Sequence, residues 1–201
     1  MKLILLTDPK PIEGELSFLQ KLFKAGLTDL HVRKPGYSYE TLKTYIASFP
    51  SHHFDKLVLH QHYDLAHQYQ LKGIHFADQP NFNSPFPKKG LFFSKAIHQL
   101  AKLSQIHSEM DRLLLSPVFN SISKESHPAN FALEEVQQYM KTHTFDFEVI
   151  ALGGIDADNI HLPEQIGFDG VAVLGGVWEV FKAEGELQAL KVFKDMMRKI
   201  G

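Results

Sequence analysis

Short apolar runs alternate with helical patterns along the whole chain. Runs of four or five apolar or β-branched residues are typical of buried strands, whereas the segments between them carry apolar residues at helical spacing. An alternation of this kind favours a parallel sheet enclosed by helices. Eight strands are predicted, at Leu3–Leu6, Asp29–Arg33, Lys56–His60, Gly73–Phe76, Leu91–Ser94, Arg112–Leu115, Glu148–Leu152 and Gly170–Leu174.

The helical patterns fill all but one of the connections between these strands. The predicted helices are Glu13–Ala25, Tyr39–Ser48, Tyr63–Tyr69, His98–Ser108, Leu133–Thr142, Asp158–Ile166 and Val177–Ile200, the last broken near Gly185. The exception follows the fourth strand, where residues 77–87 contain three prolines that oppose a full helix.

Eight strands in this pattern favour a (β/α)8 TIM barrel, and a doubly wound open sheet is the alternative with the same alternation. The chain has 201 residues, slightly fewer than the ~250 of a typical barrel. A shortened or missing fourth helix helps to explain the difference. Since no internal repeat or linker interrupts the pattern, one barrel domain spanning residues 1–201 is predicted.

Composition narrows the class of protein and of ligand. The formal net charge is −2 and cysteine is absent, which argues against nucleic-acid binding and excludes disulfides and thiolate metal sites. No run is long enough to span a membrane, and no signal-peptide pattern is present. A cytoplasmic protein acting on small molecules, without nucleic-acid or membrane partners, is therefore expected.

Two glycine pairs follow the last two predicted strands. Gly153 and Gly154 close the seventh strand, and Gly175 and Gly176 close the eighth. A barrel commonly holds a phosphate group at these two strand ends, where backbone N–H groups and helix N-termini can contact it. The competing explanation is that each glycine only allows the positive φ of a tight turn. Two such pairs at the expected strands favour a phosphorylated ligand.

Other strand ends carry groups that suit an anion. His31 and Arg33 are two residues apart, so both face the same side of their strand, and arginine binds phosphate or carboxylate in a bidentate manner. An ion pair with a neighbouring acid is the alternative role for Arg33. Ser121, Ser123 and Lys124 place two hydroxyls and an ammonium in the loop after the sixth strand.

Histidines cluster at the ends of the third and fourth strands. His60 and His62 form an H-x-H pair, and His75 lies one predicted strand away. With Asp8 or Asp64 they could hold zinc. Histidines in a hydrated barrel mouth are more often polar residues satisfied by their neighbours, and we favour that interpretation.

Taken together, an ordered series of motifs resembles the thiamine phosphate synthase and thiazole tautomerase (TenI-like) superfamily across nearly the whole chain. The motifs lie at residues 30–33, 64–66, 73–75, 116–119 with 121–124, 151–155 and 167–173.

The resemblance implies a transferase of thiamine biosynthesis that joins hydroxymethylpyrimidine pyrophosphate to thiazole phosphate, assisted by Mg²⁺, with release of pyrophosphate. It also implies a homo-oligomer, although no interface is marked in the sequence. The residues it implicates fall into three groups. The pyrophosphate would be held by Arg33, Ser121, Ser123 and Lys124, with Ser94 near the leaving group. The thiazole phosphate would be bound by Gly153, Gly154, Gly175 and Gly176. His31 replaces the glutamine that recognises the pyrimidine.

The chain departs from the family pattern at the metal site. The two aspartates that hold magnesium are replaced by Gln61 and Pro80, and Asp78 is the nearest carboxylate that could substitute. Two alternatives remain open: a thiazole phosphate tautomerase and a non-catalytic barrel that binds thiazole phosphate. A tautomerase would need a relocated histidine, because Pro117 occupies the position of its acid/base residue.

Overall fold

Eight parallel strands close into a barrel in the computed structural model, which describes residues 1–79, 87–106, 109–120 and 131–201. Each strand pairs with the next along the chain, and pairing of the first with the eighth closes the barrel. The prediction of a TIM barrel is thus confirmed, and the open sheet is wrong. The strands are β1 Lys2–Leu6, β2 Leu30–Val32, β3 Leu57–Leu59, β4 Gly73–Phe76, β5 Phe92–Ile97, β6 Arg112–Leu115, β7 Glu148–Leu152 and β8 Gly170–Val173.

Helices cover the outside of the barrel. They are α1 Glu15–Lys24, α2 Tyr39–Ala47, α3 Asp64–Gln68, α4 Leu133–Thr142, α5 Leu162–Ile166, α6 Gly175–Glu184 and α7 Glu186–Ile200, with 3-10 helices at Ser51–Lys56 and Leu100–Gln105. The predicted break near Gly185 separates α6 from α7. The α-helix predicted over His98–Ser108 is wrong in type, because β5 extends to Ile97 and the described residues that follow it form a short 3-10 helix; residues 107 and 108 lie outside the described part of the chain.

The connection between β4 and β5 is the one in which the sequence opposed a full helix. Its described residues, 77–79 and 87–91, contain no helix. Residues 80–86, which include Pro80, lie outside the described part of the chain.

The inside of the barrel is divided into an apolar half and a polar half. Ile4, Leu114, Ile150 and Ala172 pack together across β1, β6, β7 and β8. On β2, β4 and β5 the alternation of side chains instead turns buried His31, His75 and Ser94 inward, while most of the residues that flank them belong to the apolar core outside the strands. The polar half is the one that can carry chemistry.

A buried ion-pair network closes the amino-terminal end of the polar half. Arg112 is 1% exposed, and its Nη1 lies 2.6 Å from Asp29 Oδ2 while its Nε donates to Glu148 Oε2 at 2.8 Å. Lys72 Nζ also contacts Asp29 Oδ2, at 2.6 Å. Because Asp29 precedes β2, Arg112 begins β6 and Glu148 begins β7, the network joins three separate parts of the barrel.

Trp178 attaches helix α6 to the first strand. The buried Trp178 Nε1 donates to the carbonyl of Leu6 at 2.7 Å, and its ring packs edge-on against Phe18 at 5.5 Å. This contact places the N-terminus of α6 beside the carboxyl end of β1. No helix in the described part of the chain has the length and apolar character needed to cross a membrane.

Replacing Arg112 with methionine tests the network. Arg112→Met leaves Asp29 and Glu148 with buried charge that is only partly compensated, so we expect the free energy of unfolding to fall by about 3 kcal/mol. Urea unfolding measures this loss. Lys88→Met removes one partner of the more exposed Lys88–Asp111 pair and serves as the control, with an expected change below about 1 kcal/mol. Equal losses in the two variants would contradict a structural role for Arg112.

Candidate active site

Arg33 lies at the carboxyl end of β2, as predicted, and its backbone is held in place by Thr7. The Arg33 N–H donates to Thr7 Oγ1 at 2.9 Å, and the Thr7 hydroxyl donates to the Arg33 carbonyl at 3.2 Å. The arginine is exposed, and its guanidinium forms no hydrogen bond or ion pair with any other described residue. The predicted alternative, pairing with a neighbouring acid, does not occur within the described part of the chain. The guanidinium is therefore available to an anion.

Lys34, which follows Arg33 in the sequence, does not place a second free cation at this strand end. It is fully buried, and its Nζ contacts the two carboxylate oxygens of Glu15 at 2.7 and 2.6 Å. The next residue along the strand end from Arg33 thus faces the outer helices and ties α1 to the loop after β2.

Four polar side chains form a continuous chain of contacts inside the barrel. His31 Nδ1 lies 3.0 Å from His60 Nε2, and the His60 and His75 rings are stacked with centroids 4.2 Å apart. His75 Nδ1 lies 2.9 Å from the Ser94 hydroxyl. The structure thereby brings predicted site residues His31 and Ser94 together through two further histidines. His31, His75 and Ser94 are buried and His60 is half-buried.

The inner end of this chain contains two polar atoms without partners. His31 Nε2 and Asp29 Oδ1 lie 3.8 Å apart, and neither forms a hydrogen bond. Buried polar atoms are normally satisfied, so an unpaired imidazole nitrogen beside an unpaired carboxylate oxygen requires an explanation.

All three histidines are held in the neutral form. Burial lowers the pKa of His31 and of His60 well below the usual range, and the neighbouring histidines add to this effect. Burial, assisted by the positive charges of Arg112 and Arg33, lowers the pKa of His75 to about 3. At neutral pH each ring therefore has one nitrogen that can accept a hydrogen bond or bind an electrophile.

The glycine pair after β7 is required by close packing against the loop after β6. A Cβ on Gly154 would lie 2.2 Å from the Asn120 carbonyl oxygen, and one on Gly153 would lie 2.8 Å from Pro117 Cα. Both glycines have positive φ, +102° and +66° in chain order. Backbone packing thus accounts for both glycines, whereas the Gly154 N–H donates to no other described residue and can still contact a ligand.

The second glycine pair forms the first turn of α6. No side chain caps this helix, so its first N–H groups remain available, as at other anion-binding helix N-termini. A Cβ on Gly176 would lie 2.6 Å from the Ile155 carbonyl oxygen, which shows that the helix begins in direct contact with the loop after β7. The two glycine pairs are consequently neighbours in space, as the phosphate hypothesis requires.

The two described positions considered for magnesium both have structural partners. The Gln61 side-chain amide donates to the carbonyls of Lys34 and Tyr37 at 2.7 and 3.2 Å. Asp78 contacts Lys102 Nζ through both carboxylate oxygens, at 3.1 and 3.0 Å, and also accepts the His98 N–H. Each side chain holds a loop in position. Pro80 and the predicted anion-binding residues Ser121, Ser123 and Lys124 lie outside the described residues.

The H-x-H interpretation is wrong in its grouping. The chain turns at His62, where φ is +51°, and the His62 ring contacts the Tyr37 carbonyl at 3.1 Å. Asp8 contacts Lys10 and Lys182 instead of a histidine. The residue that joins His60 and His75 is His31, and the available signal was its position on the inward-facing side of β2.

Comparisons with known proteins agree with the motif series. The family model described as thiamine monophosphate synthase matches residues 3–177, which confirms the family resemblance. Thiamine-phosphate synthases from Lysinibacillus sphaericus and Oceanobacillus iheyensis are 24% and 28% identical, covering 91% and 86% of this chain and 88% and 84% of their own. The crystal structure of thiamine phosphate pyrophosphorylase from Bacteroides thetaiotaomicron superposes with a TM-score of 0.85 at 28% identity, covering 100% of this chain and 98% of that one.

The low pKa of His75 predicts a loss of stability in acid. Above its ordinary pKa of 6.5 the residue is neutral in both the folded and the unfolded protein. Below that pH it binds a proton in the unfolded protein but stays neutral in the folded one. Between about pH 7.5 and about pH 5, we expect this residue to contribute about 2 kcal/mol to the fall in unfolding free energy. Urea unfolding at the two pH values should show a smaller fall in His75→Gln.

His143→Gln provides the control, because His143 is exposed and the variant keeps the buried His75. The fall in unfolding free energy should then match that of the unmodified protein. A His75→Gln variant with the same pH dependence as the unmodified protein would show that this residue is not the source.

Proposed function

The chain belongs to the thiamine monophosphate synthase family, and on that premise we propose that it joins hydroxymethylpyrimidine pyrophosphate to thiazole phosphate. The observation that carries this proposal is the family match from β1 into the first turn of α6, which includes every strand end of the barrel. The enzyme is accordingly a transferase of the thiamine phosphate synthase type. Its products are thiamine phosphate and pyrophosphate.

Arg33 is the proposed anchor for the pyrophosphate group. Its exposed guanidinium, without a partner among the described residues, can form a bidentate contact with phosphate oxygens. As the bond between the pyrimidine methylene carbon and the pyrophosphate oxygen breaks, the electron pair stays with pyrophosphate. A fixed positive charge stabilises the negative charge that develops there. We assign the same role to Ser121, Ser123 and Lys124 on the family resemblance alone.

The thiazole phosphate is proposed to contact the other side of the barrel mouth. The Gly154 N–H and the uncapped first turn of α6 at Gly175 and Gly176 are close to one another and available to an anion. Gly153 supports this site by allowing the turn to pack on the loop after β6. Backbone donors on two separate loops would then orient the thiazole nitrogen toward the pyrimidine.

His31 is better described as a positioning residue than as the group that contacts the pyrimidine. It is fully buried and its Nδ1 is engaged by His60, which is half-buried and closer to the mouth. We therefore assign the pyrimidine contact to His60, with Ser94 acting through His75.

The described residues do not fit the Mg²⁺ that the family resemblance implies. Mg²⁺ prefers oxygen ligands, chiefly carboxylates and water. Gln61 donates its amide to two backbone carbonyls, and both oxygens of Asp78 contact Lys102. No step of the reaction is therefore assigned to Mg²⁺ here.

The tautomerase and the non-catalytic barrel are less well supported. Pro117 cannot transfer a proton at the tautomerase position, and buried histidines with lowered pKa values are weak proton donors at neutral pH. The relatives that match over most of the chain are named as synthases.

The test is incubation of the protein with both substrates, followed by oxidation of thiamine phosphate to fluorescent thiochrome. We expect product, and we expect Arg33→Ala to lower kcat/KM by about 100-fold because the leaving group loses its counter-charge. Arg198→Ala removes an arginine that pairs with Asp195 on the outer surface of α7 and should retain full activity. Thiazole phosphate binding without turnover would refute the transferase and favour the non-catalytic barrel.

A further inference from the structure

We propose that His31, His60 and His75 form a binding site for a divalent first-row transition metal, with Zn²⁺ as the representative ion. One ring nitrogen from each residue lies within 4.8 Å of the other two. The three side chains come from or directly follow β2, β3 and β4, so neighbouring strands of a rigid barrel hold them together. The inference concerns metal binding and does not depend on which reaction the protein catalyses.

One of the three separations is close to that of two nitrogens bound to the same ion, and all three lie within 4.8 Å. Zinc–nitrogen bonds are about 2.0–2.1 Å long, so two ligand nitrogens of a tetrahedral site lie roughly 3.3 Å apart. His31 Nδ1 and His60 Nε2 are 3.0 Å apart. His75 is stacked on His60 with ring centroids 4.2 Å apart, so one of these two rings would have to rotate before both nitrogens could bind the same ion.

Partners for the outer nitrogens of two of these rings are already present. A histidine that binds a metal commonly donates its other N–H to a carboxylate, a carbonyl or a hydroxyl. A proton on His31 Nε2 would point to the unpaired Asp29 Oδ1, 3.8 Å away, and would leave Nδ1 for the ion. The Ser94 hydroxyl engages His75 Nδ1 in the same way and leaves Nε2. The separation of 3.8 Å between His31 Nε2 and Asp29 Oδ1 is longer than a hydrogen bond, so these two atoms would have to move closer to form the outer contact of a metal-bound His31.

The chemistry of the donors selects the class of metal. Three imidazole nitrogens suit zinc, cobalt, nickel and copper, whereas Mg²⁺ requires oxygen ligands.

The surrounding charges leave room for a cation. Two cations, Arg112 and Lys72, contact Asp29, and Arg112 also contacts Glu148, so two positive and two negative side chains balance one another beside His31. Arg33 is the opposing charge, and it is exposed to solvent at the mouth. Three protein ligands leave a fourth position, as in other zinc sites that bind a water molecule or a substrate oxygen. An anion held by Arg33 would lie on this open side.

Metal binding can be tested by titrating the chelator-treated protein with Zn²⁺ in a calorimeter and with Co²⁺ in a spectrophotometer. We expect one ion per chain, the visible absorption of four-coordinate Co²⁺, and no displacement by excess Mg²⁺. His60→Ala should weaken Zn²⁺ binding by about 100-fold or more, because it removes a direct ligand. His75→Gln, a second variant, should have the same effect. Circular dichroism establishes that each variant is folded.

His62→Ala provides the matched control, because His62 lies two residues away and its ring contacts a backbone carbonyl outside the cluster. It should bind Zn²⁺ with unchanged affinity. A folded, unmodified protein that binds no Zn²⁺, or folded His60→Ala and His75→Gln variants that bind it as tightly as the unmodified protein, would overturn the proposal. Loss of Zn²⁺ binding in His62→Ala alone would also overturn it and would place the ion at the H-x-H pair.

Discussion

The salt bridge between Arg112 and Asp29 is the interaction on which the polar half of the barrel depends. Side chains from eight strands must fill the interior of a closed barrel, and four of these strands supply an aliphatic cluster. The other strands place imidazoles and a hydroxyl inside, where each polar atom needs a partner. Arg112 joins Asp29 to Glu148 at the amino-terminal end of this half. The charges of these three side chains largely compensate one another on the side of the barrel from which His31 extends.

Close backbone contact, rather than side-chain chemistry, organises the opposite side of the mouth. The loops after β6, β7 and β8 meet where Gly153, Gly154 and Gly176 leave no space for a Cβ. This contact brings available N–H groups from two loops to one place. A glycine that is essential for packing and a glycine that is essential for binding cannot be distinguished by residue type, because the same missing side chain serves both purposes.

The site differs from the family pattern in a chemically consistent way. Gln61 stands where the family resemblance places one magnesium aspartate, and its amide donates to two carbonyls of the loop after β2. Histidines occupy the neighbouring positions inside the barrel, and burial keeps them neutral. Nitrogen donors therefore lie inside the barrel, and Arg33 is exposed at the strand end beside them. The proposed transition-metal site and the proposed anion contact rest on these two observations.

Much of the architecture was predictable from the amino-acid pattern alone. Local periodicity and residue type predict the eight strands and the break at Gly185. They also predict that Arg33 and the glycine pairs lie at the carboxyl ends of strands. The spatial relations could not be predicted in the same way. Lys34 and Arg33 are adjacent in sequence, but Lys34 is buried against Glu15 and Arg33 is exposed. His62 was grouped with His60, but a positive φ directs it elsewhere and His31 takes its place. Periodicity records which side of a strand a residue faces, whereas only closure of the barrel decides which inward-facing residues of different strands meet.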